Sequence, residues 1–337
     1  MPLSAVKTTS PPAGPPLLEV RGLSVAYGKD GGASPAVDTV SLSLDRGEVL
    51  GLAGESGSGK SSLARGIVRL LNPSSGKVLL DGKDLVGMRG PALLEARRRM
   101  QVIFQDPATA LSPRRTIAQS LLEPLRHFGL GRREEHPRMV REALARVGMD
   151  DSCAGRYPHE FSSGQRQRIA IARALIADPD LVIADEPVSA LDVSVQAQVL
   201  ALLLQLREER GIAVLLISHD LAVIRQLADS VAIMYQGRLV EHAPADVLFA
   251  RPMHPYTRQL LEAVPGIEPG QPFPGPVPGA ALAPRNTDEP GCPFRRRCPV
   301  SMQACARTAP VLAALANDPA HRVECLHYED QPPPIAD

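Results

Sequence analysis

Phe161-Ser162-Ser163-Gly164-Gln165 is followed, twenty positions after Gln165, by Asp185-Glu186 at the end of the apolar run Leu181-Val182-Ile183-Ala184. Upstream stands Gly54-Glu55-Ser56-Gly57-Ser58-Gly59-Lys60-Ser61. It is entered from the apolar segment 48–53 and left through residues in which Leu63, Ile67, Leu70 and Leu71 recur at helical spacing. A glycine-rich loop between a strand and a helix lets successive backbone N–H groups point at one phosphate chain, and the helix presents its positive end there. Gly54, Ser56, Gly57, Ser58 and Gly59 form that cradle, Lys60 adds a point charge on the outer phosphates, and Ser61 offers a hydroxyl to Mg²⁺, with Ser62 beside it. Such a loop by itself specifies only that a nucleotide phosphate is bound. The acidic pair adds chemistry: Asp185 suits Mg²⁺, and Glu186 is placed to polarise water against a γ-phosphate as general base.

The chain has 337 residues, beyond the size at which a single core stops growing, so one large domain with an appendage is expected. Basic and acidic side chains balance at 37 each, which removes a global electrostatic case for nucleic acid or an anionic membrane surface. No apolar run approaches the roughly 18 residues of a membrane span. Residues 1–16 are rich in Pro, Ser and Thr without an apolar signal core, and read as a disordered tail on a cytoplasmic protein.

Strands are expected at 17–26, 40–44, 48–53, 78–80, 181–184 and 213–217, with turn chemistry over 27–34. Two of these, 181–184 and 213–217, deliver polar residues at their carboxyl ends, where open α/β sheets bind ligands. Residues 91–177 show helical periodicity and little strand character, and read as a helical subdomain inserted in an α/β core. Seventeen of the 33 prolines follow residue 251, as do four of the five cysteines, so 251–337 reads as a separate module reached through an extended Pro/Gly linker at 266–290.

Taken together, residues 17–250 resemble the ATPase subunit of an ABC transporter. The resemblance implies a P-loop NTPase core of ABC type. It further implies that Tyr27 stacks on adenine, that Gln105 in Val102-Ile103-Phe104-Gln105-Asp106 joins Mg²⁺ and senses a membrane subunit, and that His219 contacts the γ-phosphate. Ser162, Gly164 and Gln165 would act in trans on the ATP of a second ATPase subunit, and Ser189-Ala190-Leu191-Asp192 would cross that dimer interface. Ser163 departs from the family pattern, where Gly is usual; its Cβ is expected to crowd the partner's site modestly.

The tail narrows the resemblance. His254-Pro255-Tyr256-Thr257-Arg258, with Cys292-Pro293-Phe294 and Arg297-Cys298-Pro299, is similar to the carboxyl-terminal extension of dipeptide and oligopeptide importer ATPases, whose relatives handle nickel, glutathione and antimicrobial peptides. The implied partners are two transmembrane permease subunits and an extracytoplasmic solute-binding protein, with the ATPase peripheral on the cytoplasmic membrane face and no nucleic acid. Cys292, Cys298, Cys305 and Cys325 suit a thiolate metal site better than disulfides in a cytosolic protein. Their spacing does not choose between a [4Fe–4S] cluster and tetrahedral Zn²⁺; the resemblance favours the cluster, and cysteines that merely pack remain the third reading. Arg295, Arg296 and Arg297 would offset a cluster's charge or form a solvated face, and Cys153 reads as a small packing residue. The alternative function is a soluble ABC ATPase outside transport.

Overall fold

The computed structural model describes residues 14–27, 35–189, 191–264 and 290–328. The expected tail before residue 14, most of the 27–34 turn and nearly all of the 266–290 linker lie outside these residues. The chain opens with β1 (Leu18–Val25), β2 (Val37–Leu44) and β3 (Val49–Ala53), then α1 (Lys60–Ile67), β4 (Ser75–Leu80), β5 (Lys83–Asp84), α2 (Gly90–Arg99) and β6 (Met100–Ile103). Four helices follow, α3 (Pro107–Ala110), α4 (Ile117–His127), α5 (His136–Arg146) and α6 (Ser163–Leu175). After them come β7 (Leu181–Asp185), α7 (Val193–Arg210), β8 (Ala213–Ile217), α8 (Leu221–Leu227), β9 (Ser230–Tyr235), β10 (Arg238–Pro244), α9 (Ala245–Ala250), α10 (Pro255–Glu262), β11 (Ala313–Leu315) and β12 (Asp318–Val323).

Two sheets face each other across α1. The antiparallel sheet, in the order β2-β1-β4-β5, alternates buried and exposed residues as a one-sided sheet does. The larger sheet runs β11-β12-β10-β9-β3-β8-β7-β6, and its central strands β3, β8 and β7 are buried along their whole length. That burial explains their uninterrupted apolar sequences. Because β9, β3, β8, β7 and β6 are all parallel, their carboxyl ends share one edge. The phosphate loop, Gln105, Asp185-Glu186 and His219 all follow those ends.

Three expectations change. Helix α1 stops at Ile67, leaving Leu70 54% exposed instead of on a core face. Arg69 adopts a left-handed φ of 59°, and the Arg97 guanidinium takes the carbonyls of Val68 and Arg69 at 3.2 and 2.7 Å, so a tertiary cation replaces the next helical turn. Within 91–177, Met100–Ile103 is a strand of the core sheet, paired with β7 from Met100↔Leu181 to Ile103↔Ala184. A four-residue strand carries too little periodicity to be read locally, and its parallel partner lies some 80 residues on.

The compositional boundary at 251 is not a structural one. Strand β12 pairs with β10 through Glu241↔Val323 and His242↔Arg322, and β11 pairs with β12, so the extension lengthens the core sheet. Glu241 is fully buried where the two meet: its carboxylate accepts from the amides of Met253 at 2.7 Å and His254 at 3.0 Å and from His321 Nε2 at 2.7 Å. Phe294 packs on Tyr235 and Tyr256 at centroid distances of 5.3 and 5.5 Å, filling one core with Ala53, Val231 and Ile233.

Candidate active site

The phosphate loop takes its shape from backbone that only glycine allows. Gly54 has φ 150°, and a Cβ there would sit 2.1 Å from the Met234 carbonyl oxygen; at Gly59, φ 106°, it would sit 2.3 Å from that of Ala36. The loop is thus pressed between β9 and the entry to β2. Lys60 opens α1 and is buried; its Nζ donates to the carbonyls of Gly54 at 2.7 Å and Glu55 at 2.9 Å. Burial lowers the Lys60 pKa, while Glu186, Asp185 and Glu55 favour its charge.

Ser61 Oγ donates to Asp185 Oδ1 at 3.0 Å, and burial raises the Asp185 carboxyl above the usual carboxylate range. A hydroxyl and a desolvated carboxylate in contact form an oxygen donor set that fits a hard divalent cation, which would supply its positive charge to the β- and γ-phosphate oxygens. Glu186 follows at φ 49°, a left-handed conformation that costs a non-glycine residue free energy and occurs at functional sites. Its two carboxylate oxygens are both engaged: Gln105 Nε2 donates to Oε2 at 2.8 Å, and His219 Nδ1 lies 3.1 Å from Oε1. Residues from the ends of β6, β7 and β8 thereby meet in one network. Tyr27 is 48% exposed with its hydroxyl 3.0 Å from Ser62 Oγ, so the ring offers an open face beside α1.

The Phe161–Gln165 stretch starts α6 with a reciprocal cap. Ser162 Oγ accepts from the Gln165 amide at 3.3 Å, and Gln165 Oε1 accepts from the Ser162 amide at 3.0 Å. The Ser-x-x-Gln spacing is the sequence signal for that cap. Gly164 faces α7, where a Cβ would come within 2.3 Å of Val195 Cγ1. Asp192 caps α7 by accepting from the Val195 amide at 3.0 Å, and the Ser194 hydroxyl, followed by that amide, lowers its pKa. Ser162, Gln165 and Asp192 are exposed. None of the four meets the phosphate loop within this chain by any hydrogen bond described.

The tail motifs acquire local reasons. His254 Nδ1 accepts from the Tyr256 amide at 3.1 Å, capping α10 ahead of Pro255; burial pushes its pKa down to about 4, which keeps that nitrogen an acceptor. Arg297 does not lie on a solvated face: its side chain is 12% exposed and ion-paired with Glu55 of the phosphate loop. Nothing in the arginine run announced that contact across the chain.

The cysteines come together without closing on a metal. The Cys292 amide donates to the Cys305 carbonyl at 2.8 Å, and burial pushes the Cys292 thiol up to about 11, with Cys305 and Cys325 near enough to add to the shift. Burial also raises Cys298, again with Cys305 nearby. Among the described residues, however, no group of three or more His, Cys, Asp or Glu side chains is placed to hold a metal ion, so the expected four-thiolate centre is not assembled. Cys292 and Cys298 lie against the Tyr256 and Phe294 core.

Among the described residues no helix is long and apolar enough to cross a membrane. Residues 37–189 match the family described as ABC transporter, and residues 240–305 match the oligopeptide/dipeptide transporter, C-terminal region. The chain is 46% identical over 303 residues to the oligopeptide transport ATP-binding protein OppF of Salmonella typhimurium, covering 87% of this chain and 88% of that one. To the oligopeptide transport ATP-binding protein AppF of Bacillus subtilis it is 44% identical over 301 residues, covering 87% and 89%. A solved dimeric ATP-binding cassette in a post-hydrolysis state with ADP and phosphate superimposes with a TM-score of 0.62 at 28% identity, over 68% of this chain and 98% of that one. A phosphate loop and an Asp-Glu pair on one sheet edge, carried by a cassette fold with an importer-type tail, place the chain in the ABC transporter family as an ATP-hydrolysing, ATP-binding subunit of the oligopeptide/dipeptide group.

Proposed function

We propose that this ATPase couples ATP binding and hydrolysis to the uptake of dipeptides and oligopeptides. One observation carries the reading: a tail of the oligopeptide/dipeptide type is built into the same sheet that holds the phosphate loop. Lys60 and the loop amides bind the phosphates, Tyr27 stacks on adenine, and Ser61, Gln105 and Asp185 hold Mg²⁺. Glu186 accepts the proton of the attacking water, and His219 holds the γ-phosphate. Ser162, Gly164, Gln165 and Asp192 serve the ATP of a second ATPase subunit; three of them are exposed, as residues acting across an interface must be. An isolated subunit therefore hydrolyses poorly. A division of roles is part of the same proposal: 17–250, whose helices over about 91–177 surround the core strand β6, acts on nucleotide, and 251–337, which lengthens the core sheet, carries the importer-type motifs.

Two permease subunits dock on the helical section that follows Gln105, with the ATPase on the cytoplasmic face and an extracytoplasmic solute-binding protein delivering the peptide. Cells whose only copy carries Lys60→Ala should lose accumulation of a labelled tripeptide that the unaltered copy restores. Unchanged tripeptide uptake, with nickel or glutathione uptake lost instead, would reassign the solute.

The four tail thiols, on this reading, take up one metal centre, [4Fe–4S] in preference to Zn²⁺, by a rearrangement that brings their sulfurs onto it. Their shared location supports it. Protein purified without oxygen should carry about four irons with matching sulfide per chain and absorb broadly near 400 nm. Stoichiometric zinc would make the tail a tetrahedral clip, and absence of both metals would leave the thiols as packing groups.

A further inference from the structure

Glu55, the second residue of the phosphate loop, is held by the far end of the chain. Its carboxylate accepts two hydrogen bonds from Arg297, 2.8 Å at Oε1 and 2.9 Å at Oε2, the parallel fork in which guanidinium and carboxylate match best. Its amide N–H donates to the Tyr256 hydroxyl at 2.9 Å. Its carbonyl accepts from Lys60 Nζ at 2.9 Å and from the Ser58 amide at 3.1 Å, so the residue that the tail grips is also the residue that shapes the loop around its lysine.

The grip is built into packed structure. Tyr256 is fully buried, and burial pushes its phenol pKa up, so the hydroxyl stays neutral and accepts. The Arg297 guanidinium lies 5.6 Å from the centroid of Phe294 and 5.8 Å from that of Tyr235, within cation–π range of both. A carboxylate at this position is otherwise a liability. It stands in a loop that receives a polyanion, and it is near enough to Lys60 to act on that side chain's charge. Coulomb repulsion between like charges about 10 Å apart, at the effective dielectric of a protein site, is worth on the order of a tenfold change in affinity. Pairing with Arg297 cancels that charge, and the two bonds fix where the carboxylate points.

We infer that Arg297 and Tyr256 are positioning residues for the phosphate loop: they neutralise and orient Glu55, and so set the affinity of the site for nucleotide from a part of the chain outside that loop. This rests on the reading that the loop binds ATP. It predicts a charge-dependent effect, which a mere structural clip would not produce.

The test is equilibrium binding of ATP and ADP to the full-length chain, with melting curves to establish that each variant is folded. Arg297→Gln should weaken ATP about tenfold and ADP less, because the diphosphate carries less charge. Glu55→Gln/Arg297→Gln, which removes both charges, should return ATP to within about threefold of the unaltered protein. Tyr256→Phe keeps the ring in the core and should weaken both nucleotides by a few fold through the lost acceptor. Arg297→Gln that binds ATP as the unaltered protein does, or a double variant as weak as the single one, overturns the inference. So does a folded Tyr256→Phe with unchanged affinity. If the unaltered chain binds ATP and only the variants disobey, the inference alone fails; an unaltered chain that binds none sinks the ATPase reading as well.

Discussion

Glu186→Gln should reduce ATP hydrolysis by about 10²- to 10⁴-fold, the range that a positioned general base contributes. Nucleotide binding should persist. The substitution keeps side-chain volume and one oxygen to receive Gln105 Nε2 or His219 Nδ1, the two groups that now occupy both oxygens of Glu186 at 2.8 and 3.1 Å. The phosphate contacts proposed for Lys60 and the loop amides keep their geometry, because no hydrogen bond described joins them to Glu186, although Lys60 loses one of the carboxylates that favour its charge. Phosphate release under conditions that favour the dimer, beside equilibrium ATP binding, separates the two effects. A variant within about fivefold of the unaltered rate would mean that another group takes the proton. Loss of binding along with turnover would mean that the carboxylate shapes the site and does not act as base.

The second large effect concerns stability. Glu241→Leu should cost about 3–5 kcal/mol, because it leaves two buried amides and His321 Nε2 without their acceptor. Leucine fills much of the volume, so the loss reports hydrogen bonding more than a cavity. Burial of the whole cluster magnifies the penalty: Glu241 and His321 are both 0% exposed, so water cannot replace the missing partner. The expected readout is a melting temperature lower by roughly 10 °C. Proteolysis should cut first in 251–337, because Glu241 joins β10 to the turn before α10 and to β12. A melting point within 2 °C of the unaltered protein would show that the extension is held by its apolar contacts alone. Glu241→Gln, with one oxygen still accepting, should fall between the two.

The contrast between what was read correctly from residues and what was not follows the length scale of the interactions. Strand β8 was legible to the residue, Ala213 to Ile217, since a short apolar run ending at polar residues has few other readings in an α/β chain. Strands β9 and β10, the hairpin that carries the extension, leave a weaker trace, because Ser230–Tyr235 and Arg238–Pro244 alternate imperfectly and one of the two ends in proline. The capping role of Ser162 and Gln165 was available in their spacing but was masked by their proposed role in trans. Arg297 was hidden for another reason: an arginine in a run of three carries no mark of the one carboxylate it meets, and that carboxylate lies 242 residues away.

What the sequence by itself determined is the family and the pattern of its candidate nucleotide site. Gly54, Gly59, Lys60, Ser61, Asp185 and Glu186 occur in an order and spacing whose chemistry is local, since a loop that must adopt left-handed backbone and begin a helix can be recognised from the residues within it. Tertiary structure decided everything that depends on pairing between distant segments. It turned a proline- and cysteine-rich tail into two more strands of the core sheet, placed Glu241 and His321 in one buried cluster, and brought Arg297 to Glu55. Those contacts are set by strand register and by which faces are buried together. Neither leaves a periodic trace in the chain, because the free energy that selects them comes from excluding water at sites that exist only once the sheet has formed.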